Sequence, residues 1–185
     1  MEAFEPIRDT ATRLHDELVS IGIDPLKPLE LVEAAIRRFD LELFWLARGD
    51  PALKGSQALL DEQSGSVYCE AVDDPGERAL LVGHEIGHAC VHATSSLCSV
   101  DDIDPSRSTE AAPVGLQRVE DYGARERREL QANVFAREFL FPRAFARRLH
   151  LDEALGASAI ADTTGLPKNL VRQQLFVRAI CFCNS

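Results

Sequence analysis

The stretch "ALLVGHEIGHACVHA", residues 79–93, constrains this chain more than any other. It sets His84 and His88 four positions apart, with Glu85 beside the first. At 3.6 residues per turn, positions four apart lie roughly 40° apart around a helix axis, so both imidazoles leave the same side of one helix. They can then reach a single ion at roughly 2.0–2.1 Å. Glu85 lies roughly 100° round from His84, beside such an ion rather than on it. A carboxylate there can take a proton from water. The H-E-x-x-H pattern is the signature of zinc peptidases for this reason. The chain has 5 histidines in 185 residues, and by composition alone such a chain shows the pattern roughly once in a hundred. A helix whose histidines share no role is therefore the weaker reading. The apolar run before His84 and the small Gly87 and Ala89 suit a helix packed in an interior.

The flanking segments predict an α+β fold, mostly helical, with a small and largely antiparallel sheet packed on the H-E-x-x-H helix. Ile7, Ala11, Leu14 and Leu18 recur at helical spacing up to about Val19. Pro28 suits the first turn of a second helix. "LELFWL" reads as a strand, and "QALLDEQSGSVYCEA" as two short strands around a turn. Asp74 and Pro75 offer a cap and a first-turn proline for the motif helix, which runs to about Ala93. Thr94 to about Gly123 is polar, acidic and without regular period, and reads as a long surface loop. A strong helix follows from about Ala124 to Phe141, ended by Pro142, then a short one around "RAFARRLH". The tail places a small-residue helix, a turn at Gly165 and a helix from near Pro167 in a helix-turn-helix-like order. Residues 1–142 are expected to form a metallopeptidase domain. Residues 143–185 form a helical extension packed on it, or the two make one continuous domain.

A catalytic zinc site takes three protein ligands and keeps an open position. His92 repeats the four-residue step, but it lies roughly 12 Å along the axis from His84, too far for one ion. Downstream carboxylates that could serve are Asp101, Asp102, Asp104, Glu110, Glu120, Asp121, Glu126, Glu129 and Glu138. Among them, Glu129 shares a helical stripe with Ala132, Asn133 and Ala136. Small alanines permit close packing there, and a buried carboxylate needs a partner or a metal. The competing reading makes Glu129 a solvated charge of "RERRE". Asn133, one turn on, can hydrogen-bond a ligand histidine from behind.

"HEIGH" followed by "ELQANVFAREFLFP" resembles the ImmA/IrrE family of zinc metallopeptidases. The resemblance covers most of residues 25–180, although the segment 89–128 is longer than in compact members. It implies that His84, His88 and Glu129 are zinc ligands and that Glu85 is the catalytic base. It implies zinc-dependent cleavage of a specific cytoplasmic protein, a helix-turn-helix repressor, in a stress or DNA-damage response. Tyr68, Tyr122 and His92 are candidates for stabilising the oxyanion.

The formal charge of −10 and pI of about 5.0 disfavour non-specific binding to DNA or anionic membranes. Contact with nucleic acid is left to the C-terminal helices, where Lys168, Arg172 and Arg178 are the cations of the second helix. There is no apolar run long enough to span a bilayer and no signal-peptide pattern, so the expected location is cytoplasmic. Five irregularly spaced cysteines (Cys69, Cys90, Cys98, Cys181, Cys183) are expected as thiols. Two rival readings remain open: a zinc-binding sensor or interaction module without hydrolysis, and the N-terminal regulatory module of a larger nucleic-acid enzyme.

Overall fold

The structure, a computed structural model, describes residues 4–91, 97–98 and 124–176. Among them lie seven α-helices and a mixed four-stranded sheet, an α+β fold. Helix α1 (Glu5–Ser20) buries Ile7, Ala11, Leu14 and Leu18 along one stripe. Helix α2 (Pro28–Arg38) opens on Pro28, whose fixed φ suits a first turn and whose missing N–H has no partner to lose there. Strand β1 (Glu42–Leu46) leads through a 3-10 turn (Pro51–Leu53) to β2 (Ala58–Asp61). Gly65, at a φ of +67°, then turns the chain into β3 (Ser66–Glu70). Helix α3 (Pro75–Val91) carries the H-E-x-x-H motif. Its start is capped by Asp74, whose Oδ1 accepts the Glu77 N–H at 2.8 Å.

The strand order is β1-β3-β2-β4, with β4 at Leu97–Cys98. The β2–β3 and β2–β4 pairs are antiparallel, while β1 pairs with β3 in parallel. This one departure from an antiparallel sheet has a topological cause. The connection through residues 47–57 is too long for a hairpin, so it carries the chain past β3's place and β2 lands on the far side. The strand at Leu97–Cys98 corrects the reading of that stretch as irregular loop. Two residues are too few to show a period, and it is the pairing with β2 that makes them a strand. The rest of the expected loop, residues 99–123, lies outside the described residues.

One face of the sheet presents Val67, Cys69, Ala58 and Leu60 to the core, all buried, and α3 packs on it. The opposite face carries Phe44 and Tyr68, stacked with ring centroids 5.3 Å apart. Helix α4 (Ala124–Leu140) covers the other side of α3. Helices α5 (Arg143–Leu151), α6 (Ala157–Thr164) and α7 (Lys168–Phe176) follow, and Gly165 in the left-handed region ends α6. The expected helix–turn–helix order is thus present as α6–α7. The hydrophobic cluster is continuous from α1 (Leu18) through α4 (Phe139) to α5 (Leu149) and α7 (Leu170). No helix among the described residues is long and apolar enough to cross a membrane.

A buried polar cluster ties α1, α5 and α7 to α4. Glu138 Oε1 accepts the Arg143 backbone N–H at 3.0 Å. Its Oε2 accepts Arg143 Nε at 3.1 Å, Gln174 Nε2 at 3.2 Å and Arg8 Nη1 at 3.4 Å. Burial pushes the nearby Arg137 guanidinium down to about 10, and the charge of Arg8 adds to the effect. One carboxylate therefore neutralises a site crowded with cations. Glu138→Ala should lower the stability by about 3–5 kcal/mol, because it strands buried guanidinium charge. In chemical denaturation the midpoint should fall steeply for Glu138→Ala and hardly move for Glu30→Ala, which breaks an exposed pair with Lys27.

Candidate metal centre

The motif helix and α4 run in opposite directions, since Gly83 lies against Ala136 and Leu140 while Gly87 lies against Ala132 and Phe135. This places Glu129 of α4 over the His84–His88 stripe of α3. The Nε2 atoms of His84 and His88 are 3.0 Å apart. Glu129 Oε2 lies 3.2 Å from His84 Nε2 and 3.4 Å from His88 Nε2. A tetrahedral ion bonded at roughly 2.0–2.1 Å spaces its ligands roughly 3.3–3.4 Å apart. The three side chains already form one face of such a tetrahedron. Both histidines are fully buried and Glu129 is 4% exposed, so it is no surface charge.

The electrostatics of the three groups favour positive charge among them. Asn133, one turn after Glu129, sets its Oδ1 against His84 Nδ1 at 2.9 Å. The Nδ1–H donates, so neutral His84 presents a bare lone pair at Nε2. The His84 lone pair, the His88 Nε2 and the Glu129 carboxylate then converge in the interior, an arrangement that a shared proton or a cation holds together. Burial alone would disfavour a charged His84, yet the hydrogen bond and charge of Glu129 outweigh it and raise the pKa. Burial would likewise raise the Glu129 carboxyl, but the two imidazoles hold it well below the usual carboxylate range. Glu129 Oε1 is buried with no hydrogen-bond partner among the described residues. An N, N, O set with one spare carboxylate oxygen is chemistry suited to a divalent ion. His84, His88 and Glu129 could therefore hold a metal ion.

Glu85 is also fully buried, but it faces another way. Its negative charge acts on both His84 and the Cys69 thiol of β3, which burial first and Glu85 second push upward. On a helix it lies roughly 100° round from His84.

Not every candidate joins the site. Tyr68 alternates with Val67 and Cys69, so it stands on the sheet face away from α3, stacked on Phe44. It cannot reach an oxyanion formed beside α3. Glu138 serves the arginines. Tyr122, His92, Asp101, Asp102, Asp104, Glu110, Glu120 and Asp121 lie outside the described residues, as does the side chain of Glu126. Of the other histidines, His15 is buried on α1 with Nδ1 donating to the Phe139 carbonyl at 2.8 Å, and exposed His150 bonds the Leu155 carbonyl. Both are structural. Arg8 and His15 are buried although each lies one position beyond the core stripe of α1, after Ile7 and Leu14. Cys69 and Cys90 are free thiols.

The chain matches no family model, no curated protein and no solved structure. Purified protein should carry one divalent ion per chain by elemental analysis. His84→Ala, His88→Ala and Glu129→Ala should each lose it, and Asn133→Ala should weaken binding about 10–100-fold. Full occupancy in Glu129→Ala would show that another residue completes the set.

Proposed function

We propose that the protein is a zinc-dependent endopeptidase of the ImmA/IrrE type, with Glu85 as general base. The observation that carries this reading is the convergence of His84, His88 and Glu129, with Glu85 one residue along the same helix. Bound there, zinc supplies an electrophile that acidifies water and polarises a peptide carbonyl. Glu85 takes the proton of the attacking water on its carboxylate and passes it to the leaving amine nitrogen. His84 and His88 hold the ion from one helix. Glu129 closes the set from the other, and Asn133 keeps the His84 proton on Nδ1 so that Nε2 stays a ligand. Glu85→Gln preserves shape but cannot accept a proton. It should keep zinc and fold while cleaving peptide at least about 100-fold more slowly. An equally active Glu85→Gln protein would remove the mechanism and leave a zinc-binding module.

The substrate reading rests on the same family likeness. It assigns one or a few DNA-binding repressors in the cytoplasm. The net charge of −10 is consistent with this. An acidic surface repels DNA and attracts the basic face of a DNA-binding protein. Zinc-loaded protein should cut a repressor encoded beside it into discrete fragments and leave casein nearly intact over the same time. Rapid, unselective casein digestion would overturn the specificity, and intact repressors alongside bound zinc would favour a role without hydrolysis.

A further inference from the structure

The two ligand-bearing helices meet on glycine and alanine. A Cβ added at Gly87 would stand 3.0 Å from the Ala132 carbonyl oxygen, 3.1 Å from Ala132 Cα and 3.3 Å from Phe135 Cβ. The first two are backbone atoms of α4, which no side-chain rotation can move aside. At Gly83 the nearest atoms are Leu140 Cδ1 and Ala136 Cβ at 3.5 and 3.6 Å, an ordinary contact. The tight point of the crossing is therefore Gly87, and it lies beside the site. Gly87 directly precedes His88, and Ala132 follows Glu129 by three positions, roughly one turn.

We propose that Gly87 is a positioning residue for the metal centre: the missing Cβ seats the α4 backbone on α3 and so holds the Glu129 carboxylate within reach of both imidazole nitrogens. The inference rests on the reading of His84, His88 and Glu129 as metal ligands. Its scale follows from two lengths. Any side chain at Gly87 must push α4 back by a few tenths of an ångström. Metal–ligand distances tolerate only about ±0.2 Å. The Glu129 oxygen, now 3.2 and 3.4 Å from the two nitrogens, moves out of the tetrahedral spacing when α4 moves. The carboxylate is buried, and its Oε1 has no hydrogen-bond partner among the described residues.

The test separates positioning from stability by using glycines of one helix. In Gly76→Ala the new Cβ falls on the Gly165 carbonyl, remote from the ligands, so this variant destabilises α3 without touching the site. Zn2+ affinity is measured by competition with a chromophoric chelator on full-length protein, and the site geometry by Co2+ visible absorption. Wild type and Gly76→Ala should bind Zn2+ alike, within about twofold. Gly87→Ala should bind at least about tenfold more weakly, with Co2+ bands reduced from their four-coordinate intensity. Ala132→Val enlarges the same crossing from the α4 side and should shift both readings in the same direction. It decides alone should Gly87→Ala not fold. Wild-type Zn2+ affinity and Co2+ bands in the folded variants would overturn the role of Gly87. Failure of the wild type to bind either ion would instead overturn the metal centre itself.

Discussion

Three lone-pair donors held within 3.4 Å of one another in a protein interior are an electrostatic liability. Burial removes the water that would screen them, and neutral imidazoles ease the repulsion only by placing an N–H between these atoms. A small cation turns that repulsion into three bonds. Folding and ion binding would then be coupled, because the two helices supply groups that are not near one another in the unfolded chain. An ion bound only by the native state would stabilise it by an amount that grows with the logarithm of its concentration over its dissociation constant. The features around the centre follow from this need. Asp74 fixes where α3 begins, small residues let α4 lie close, and Asn133 sets the tautomer of the first ligand.

Much of this was legible in the sequence because it depends on local rules. Two histidines four apart must share a helix face, a proline at position 28 or 75 fits a first turn, and Gly165 takes the left-handed turn that ends α6. What stayed hidden was set by distant pairing. The parallel place of β1 and the two-residue β4 come from neighbours in the sheet and leave no period in the chain. Arg8 and His15 could not be told from exposed polar residues, because their burial depends on Glu138 and on the Phe139 carbonyl, more than a hundred positions away.

Helix α4 shows the same limit most clearly. Glu129 and Glu138 are nine positions apart, which places them on roughly opposite sides of the helix. Both are 4% exposed. One faces two imidazoles and the other faces guanidinium groups of α1 and α5. A helix buried on both sides has no polar stripe, so the usual amphipathic signal is missing and each carboxylate looks like part of a charge run. Only the partners separate them. Imidazoles have lone pairs that a metal can share, whereas guanidiniums have only protons to give. The carboxylate beside the imidazoles is suited to an ion, and the one beside the arginines is already neutralised.

The circumference of α3 divides the work in a way that bears on hydrolysis. Taking His84 as zero, His88 lies at roughly 40°, Glu85 at roughly 100°, and Gly83 and Gly87 at roughly 260° and 300°. The contact face with α4 and the proposed base thus flank the ligand stripe on opposite sides. Glu129 comes over the ligands from the glycine side, because α4 rests there. Glu85 stands on the other side, toward β3, where its charge is felt at Cys69. Were His84, His88 and Glu129 to hold an ion, a base could approach it from the flank that α4 does not occupy. The glycine crossing and the glutamate are in this sense one arrangement: α4 fills one flank of the His84–His88 stripe and leaves the other to the carboxylate proposed as the base.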